Sequence, residues 1–168
     1  MGAGSSEAAG WVDVYQASAG RLTRLAVLLV GHADAHDLVI DAVWRAVSSR
    51  GWAGARSPAA YLHASLVHLA HDRRRQVERR RRRELAVHLG EIRAPGAVDV
   101  ERAIVVRAAL DALSPAQLAV VFLHYWEDLT LEQAATELGI GVGTARSHLD
   151  RAKRRLRTLL PDLETEER

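Results

Sequence analysis

The side chains of this sequence that could do chemistry are mostly cationic, and they come in two runs. Arg73, Arg74, Arg75 and Arg79 to Arg83 crowd one stretch, and Arg146, Arg151, Lys153, Arg154, Arg155 and Arg157 crowd another. Guanidinium groups fork onto phosphate and onto the acceptor edge of guanine, so such clusters are the electrostatic footprint of nucleic-acid binding. A single arginine run is more often a solvated helix face. The second run lies in a stretch with the grammar of a helix-turn-helix, which tips the reading towards DNA. Net charge is only +2, from 23 basic and 21 acidic residues, so it is the placement of charge that carries the argument.

Other chemistries find little support. His32 and His36 are i, i+4 and His63, His68 and His71 are close in sequence, but no third ligand accompanies them and no HExxH order occurs, so no metal is expected. No nucleophile and base stand in a recognisable arrangement and no glycine-rich phosphate loop is present, so neither an enzyme nor a cofactor is expected. There are no cysteines, which removes disulfides and thiolate zinc sites and makes a reducing interior the default compartment. No apolar run approaches the ~20 residues of a membrane span, and the first residues lack the order of a signal peptide. A soluble cytoplasmic, nucleoid-associated protein without membrane insertion is expected.

The elements that would position these residues are helical throughout. In the helix-turn-helix, Leu131, Ala134, Ala135 and Leu138 form one apolar stripe, Thr130 supplies a hydroxyl cap, and Gly139 ends the helix. The next helix buries Ala145, Leu149, Ala152, Leu156 and Leu159, which turns Thr144, Ser147, His148 and Arg151 outward. Upstream, residues 1–10 read as disordered, and a helix from Trp11 stops at Gly31. Asp34 and Asp37 read as a cap and its partner, opening a helix that buries Val39, Ala42, Val43 and Ala46. A loop, SSRGWAGARS, leads to Pro58 and a long helix. Ser114-Pro115 opens another, with Leu118, Val121, Phe122 and Tyr125 inward. The expected fold class is all-α: two small helical domains, residues 11–75 and 100–160, joined by a flexible linker over 76–99 broken at Gly90, Pro95 and Gly96, with an acidic tail at 161–168.

Three stretches in this order resemble a known family. GVGTARSHLDRAKRRLR with the preceding LSPAQLAVVFLHYWEDLTLEQAATELGI, ADAHDLVIDAVWRA, and SPAAYLHASLVHLAHDRRR are similar to motifs of the bacterial RNA polymerase sigma factors of the extracytoplasmic-function (ECF) type, with the actinobacterial sigma-E-like members as one candidate branch. The resemblance implies a promoter-specificity subunit that binds core RNA polymerase and both double-stranded and melted promoter DNA, and that is held by an anti-sigma factor. It places Asp37, Leu38, Asp41 and Trp44 against polymerase. Trp52, Arg56, His68, Arg73, Arg74 and Arg75 would serve the minus-ten element, with Trp52 equally readable as a core anchor. Val142, Gly143, Thr144, Arg146, Ser147 and Arg151 would serve the minus-thirty-five element.

The sequence departs from the family at functional places. His36, Ile40 and Val43 replace glutamate, glutamine and an aromatic in the polymerase-facing motif, and His63 and His68 replace arginine and asparagine in the melting segment. His148 and Asp150 alter the recognition helix, and the linker opens on five consecutive arginines where the family's is acidic. Two other readings stay open: a stand-alone helix-turn-helix regulator, and a degenerate sigma-like protein that binds a partner without initiating transcription.

Overall fold

A computed structural model describes residues 4–84 and 98–161, with side chains described for 10–77, 79 and 104–161. The expected breaks at Gly90, Pro95 and Gly96 and nearly all of the acidic tail lie outside the described residues. Among the described residues seven helices follow in order: α1 Gly4–Val30, α2 His32–Val47, α3 Pro58–Glu84, α4 Val98–Asp111, α5 Pro115–Val121, α6 Leu131–Leu138 and α7 Val142–Leu159, with a π-helical turn Phe122–Trp126 after α5. Among the described residues there is no strand, and no helix is long and apolar enough to cross a membrane.

The local signals act where spacing places them. Thr130 Oγ1 accepts from the amide of Gln133 while Gln133 Oε1 accepts from the amide of Thr130, a capping box that satisfies two open donors of α6. Ser114 and Gln117 repeat it at α5, with Pro115 at the first helical position. Gly139 closes α6 at φ 64°, and Gly31 separates α1 from α2 at φ 85°, conformations that glycine adopts without a Cβ clash.

α1 begins at Gly4, within the stretch read as disordered. Two expectations need correction. α2 resumes at His32 directly after Gly31, so Asp34 lies within its first turn and makes no side-chain cap; a carboxylate there still complements the positive end of the helix dipole. Tyr125 does not face inward. The π-turn inserts one residue into the helical repeat, which buries Leu123 beside the expected Phe122 and leaves Tyr125 60% and Trp126 73% exposed.

The two halves pack on each other. Leu22 and Leu25 of α1, Leu38 of α2 and Leu62 and Leu66 of α3 share one apolar cluster with Val120, Phe122, Leu123, Leu138 and Leu149. The halves meet where α3 packs on α5 and α6 and α1 on α5, and apolar burial at that seam helps hold them together. A smaller cluster joins Leu113, Leu118 and Ala152 with Leu28 and Leu29 of α1.

Candidate nucleic-acid interface

α7 owes its outward face to its inward one. Ala145, Leu149 and Ala152 are buried against α5 and α6, and Leu156 is half-buried; Leu159, expected in the same stripe, is exposed because the helix outruns the core at its last turn. The complementary face carries Thr144, Arg146, Ser147 and Arg151, all exposed, with Val142 and Gly143 exposed at the helix start. No side chain caps α7, and a Cβ at Gly143 would meet nothing within 4 Å. Open amides, the positive end of an 18-residue helix and flanking arginines can take a phosphate or present hydroxyls and guanidiniums to base edges.

Two cations further along α7 have local partners. Lys153 Nζ lies 5.7 Å from the ring centre of Tyr125, a cation–π contact that holds it near the π-turn. Arg154 donates to the carbonyl of Asp150 at 3.4 Å. His148 is half-buried with Nδ1 lacking a partner, and burial, then the charge of Arg151, hold its pKa below the ordinary value, so it adds no cation at neutral pH. Glu132 at the start of α6 keeps its carboxylate ionised through its own amide and the Thr130 hydroxyl, with Arg146 a further contributor.

In the first half, α3 begins under a loop folded onto Tyr61. Trp52 is half-buried and meets Tyr61 edge to face, with centroids 6.1 Å apart at 79°, so it is anchored to the core periphery while one side stays open. Gly51 lets the loop approach closely, because a Cβ would stand 2.6 Å from the Tyr61 hydroxyl and the Tyr61 ring would have to shift. That hydroxyl shares a 2.8 Å hydrogen bond with Ser49. Arg56 is exposed. His68 is also exposed and lines a cleft of about 340 Å³ with Arg45, Ser49, Tyr61 and Ser65. Arg45 escaped the sequence reading, and Tyr61 was read there only as a position of the long helix after Pro58.

Other expected residues are placed differently. Leu38, assigned to a polymerase-facing surface, is fully buried, because its position on α2 points at α1 and α3; Asp37 and Trp44 are exposed, Trp44 at 72%. Asp41 is exposed but accepts from Arg73 at 2.5 Å, so one expected polymerase contact holds one expected DNA contact. Arg74 donates to the carbonyls of Asp111 and Leu113 and caps the end of α4. Of the three arginines expected at phosphates, Arg73 and Arg74 thus have partners within the protein, and Arg74 and Arg75 are exposed. The histidines diverge: His63 is buried beside Glu137, whereas His68 and His71 line separate clefts.

Sequence reasoning missed the polar clasp between the halves. Arg21 of α1 donates to Glu137 at 2.7 Å and to Glu127 at 3.3 Å, and Arg24 donates to Glu127 at 2.8 and 3.0 Å. Burial works to lower the pKa of Arg21, but the hydrogen bonds and charges of Glu137 and Glu127 outweigh it and raise it. His63 Nδ1 lies 3.0 Å from the carbonyl of Ala59 and 3.5 Å from Glu137, with Nε2 buried and unpartnered.

Comparison with known proteins gives the arrangement a context. Residues 104–156 match the model of the family "Sigma-70, region 4". Over 49 residues, 29% of this chain and 27% of the relative, it is 45% identical to the RNA polymerase sigma-E factor of Streptomyces antibioticus. The corresponding protein of Streptomyces coelicolor is 46% identical over 48 residues, again 27% of its length. These matches thus span about a quarter of each relative. Among solved structures, the sigma factor RpoE of Bartonella quintana, crystallised with the anti-sigma factor NepR, shares the fold at a TM-score of 0.55, covering 88% of this chain and 94% of that one at 24% identity.

Proposed function

We propose that this chain, a sigma-70 region 4 protein of the extracytoplasmic-function type, directs core RNA polymerase to promoters through minus-ten and minus-thirty-five contacts, without catalysis of its own. The observation that carries this is the coincidence of the region 4 match with the exposed face of α7, where Val142, Gly143, Thr144, Arg146, Ser147 and Arg151 surround an uncapped helix start. In this reading the first half, residues 11–75, binds polymerase through Asp37, Asp41 and Trp44 and takes the minus-ten element at Trp52, Arg56 and His68. The second half, residues 100–160, binds the minus-thirty-five element. The protein works in the cytoplasm on nucleoid DNA and is held by an anti-sigma factor.

This reading requires the halves to separate. A Cβ at Gly139, at the end of α6, would lie 3.7 Å from Ala60 in the first turn of α3, so the two DNA-facing surfaces begin close together. The two promoter elements are nominally 25 base pairs apart, ~85 Å of duplex at 3.4 Å per step. The packed arrangement is therefore a resting form. A second reading, a partner-binding protein that no longer initiates, draws on the buried Leu38 and on Asp41 tied to Arg73. Run-off transcription from genomic templates with purified core polymerase separates them. Promoter-specific product supports initiation, and its absence with partner binding retained supports the second reading.

A further inference from the structure

Where α3 packs on α6, at the seam between the halves, His63 is wholly buried. It stands one turn on from Ala60, which faces Gly139 at the end of α6. The promoter reading gives this side chain no role. Its Nδ1 lies 3.0 Å from the carbonyl of Ala59, which can only accept, so Nδ1 carries the proton of the neutral ring and Nε2 is left as a bare lone pair. Nε2 is buried without a partner. A second proton would turn that lone pair into a charged donor that has no acceptor, in a place that water does not reach.

The surrounding charges decide whether the closed seam can hold an imidazolium. Glu137 of α6 is 3.5 Å from Nδ1, beyond the range of a good N–H···O bond, and Arg21 of α1 already engages it at 2.7 Å. Arg21 is held by Glu127 as well, so its guanidinium stays near the ring as a like charge. α5 carries no ionisable side chain. On α2 every ionisable side chain is exposed, and Asp41 and Arg45 pair with Arg73 and Asp72, more than two turns further along α3. Glu132, the other acid of α6, is exposed too. Burial therefore lowers the His63 pKa more than the Ala59 carbonyl, Glu137 and Glu127 raise it, and Arg21 adds to the lowering. Withdrawal of α6 would let water reach the ring, solvate the new N–H and weaken the repulsion from Arg21.

We propose that His63 is an acid latch between the halves: uptake of one proton by its buried imidazole separates α6 from α3 while each half keeps its helices. Acidification then frees the two DNA-facing surfaces from the packed arrangement. That use of the opened form rests on the sigma-factor reading, whereas the opening itself does not.

The test reads the distance between a fluorophore pair on the full chain, carried by Gln16→Cys on α1 and Arg155→Cys on α7, with circular dichroism on the same samples. The separated form takes the proton at the ordinary histidine value of ~6.5 and the packed form only below it, so closure is fully favoured above this value and is lost as the pH falls. Between pH 7.5 and 5.5 the ratio of separated to packed chains should rise by up to about tenfold, with the helical signal kept. His63→Phe and His63→Gln should each abolish the rise, whereas His36→Gln, exposed on α2, should keep it. A rise below about twofold in the parent chain, a rise that survives in either folded His63 variant, or a loss of helical signal in step with the distance would overturn the proposal. The measurement needs neither polymerase nor DNA, so run-off transcription at pH 7.5 reports on the sigma-factor reading separately.

Discussion

Substitution of Glu127 by glutamine removes the charge at the centre of the clasp with little change of shape. Glu127 has 10% of its side chain exposed and faces Arg21 at 33% and Arg24 at 53%. The Arg24 pair is largely solvated, and exposed pairs contribute ~0.2–1 kcal/mol. The Arg21 contact, a charge-assisted hydrogen bond at a partly dry seam, contributes ~1.5 kcal/mol, the low end for such bonds because its 3.3 Å length is near the limit. The sum, ~2 kcal/mol, corresponds to a shift of about 30-fold in the ratio of separated to packed halves. The chain has no cysteine, so Gln16→Cys on α1 and Arg155→Cys on α7, both exposed, can carry a fluorophore pair that reads the distance between the halves. Glu127→Gln should increase the long-distance population, and a double-mutant cycle with Arg21→Ala should return a coupling of ~1–2 kcal/mol. A lower melting midpoint with an unaltered distance distribution would refute the reasoning, since the clasp would then support one inseparable unit.

Four further outcomes are expected. Leu38→Ala should cost ~2–5 kcal/mol of stability by denaturant titration, whereas Trp44→Ala should stay within ~0.5 kcal/mol and weaken capture of core polymerase. Thr130→Ala should lower stability by ~1 kcal/mol through loss of the α6 cap, seen in the same titration. Arg146→Ala or Arg151→Ala should lose ~1–3 kcal/mol on the cognate duplex and less on random DNA, while Arg154→Ala should weaken both alike, by fluorescence anisotropy. The pH dependence follows from His63, whose pKa is lowered by burial against the opposing pull of the Ala59 carbonyl and Glu137. The unfolded chain takes that proton near pH ~6.5, so stability is fully present above this value and falls as the pH drops from it towards the lowered folded value, by up to ~1.4 kcal/mol per pH unit for the one proton. Urea midpoints between pH 7.5 and 5.5 should show the fall, and His63→Phe should flatten it.

Much of α6 and α7 could be read from the chain itself, because the forces that shape them act over three or four residues. A hydroxyl at Thr130 reaches the amide of residue 133 whatever else the protein does, Gly139 tolerates its φ of 64°, and Ala145, Leu149 and Ala152 share a face by helical repeat alone. The same repeat turned Thr144, Ser147 and Arg151 outward, so this part of the candidate DNA surface followed without a structure. Tertiary packing decided everything that depends on what lies opposite a face. Leu38 fits an apolar contact surface and a core equally well by its spacing, and only the position of α1 and α3 buries it. Arg73 and Arg74 look identical to Arg75 in a run of arginines, but Asp41 and the end of α4 engage the first two. The π-turn at Phe122–Trp126 broke the one assumption that periodicity makes, a constant repeat, and so exposed Tyr125. The clasp joins Arg21 to residues 106 and 116 positions away. An ion pair over that separation has no periodic trace in sequence, because its partners meet only when a whole fold brings their helices together.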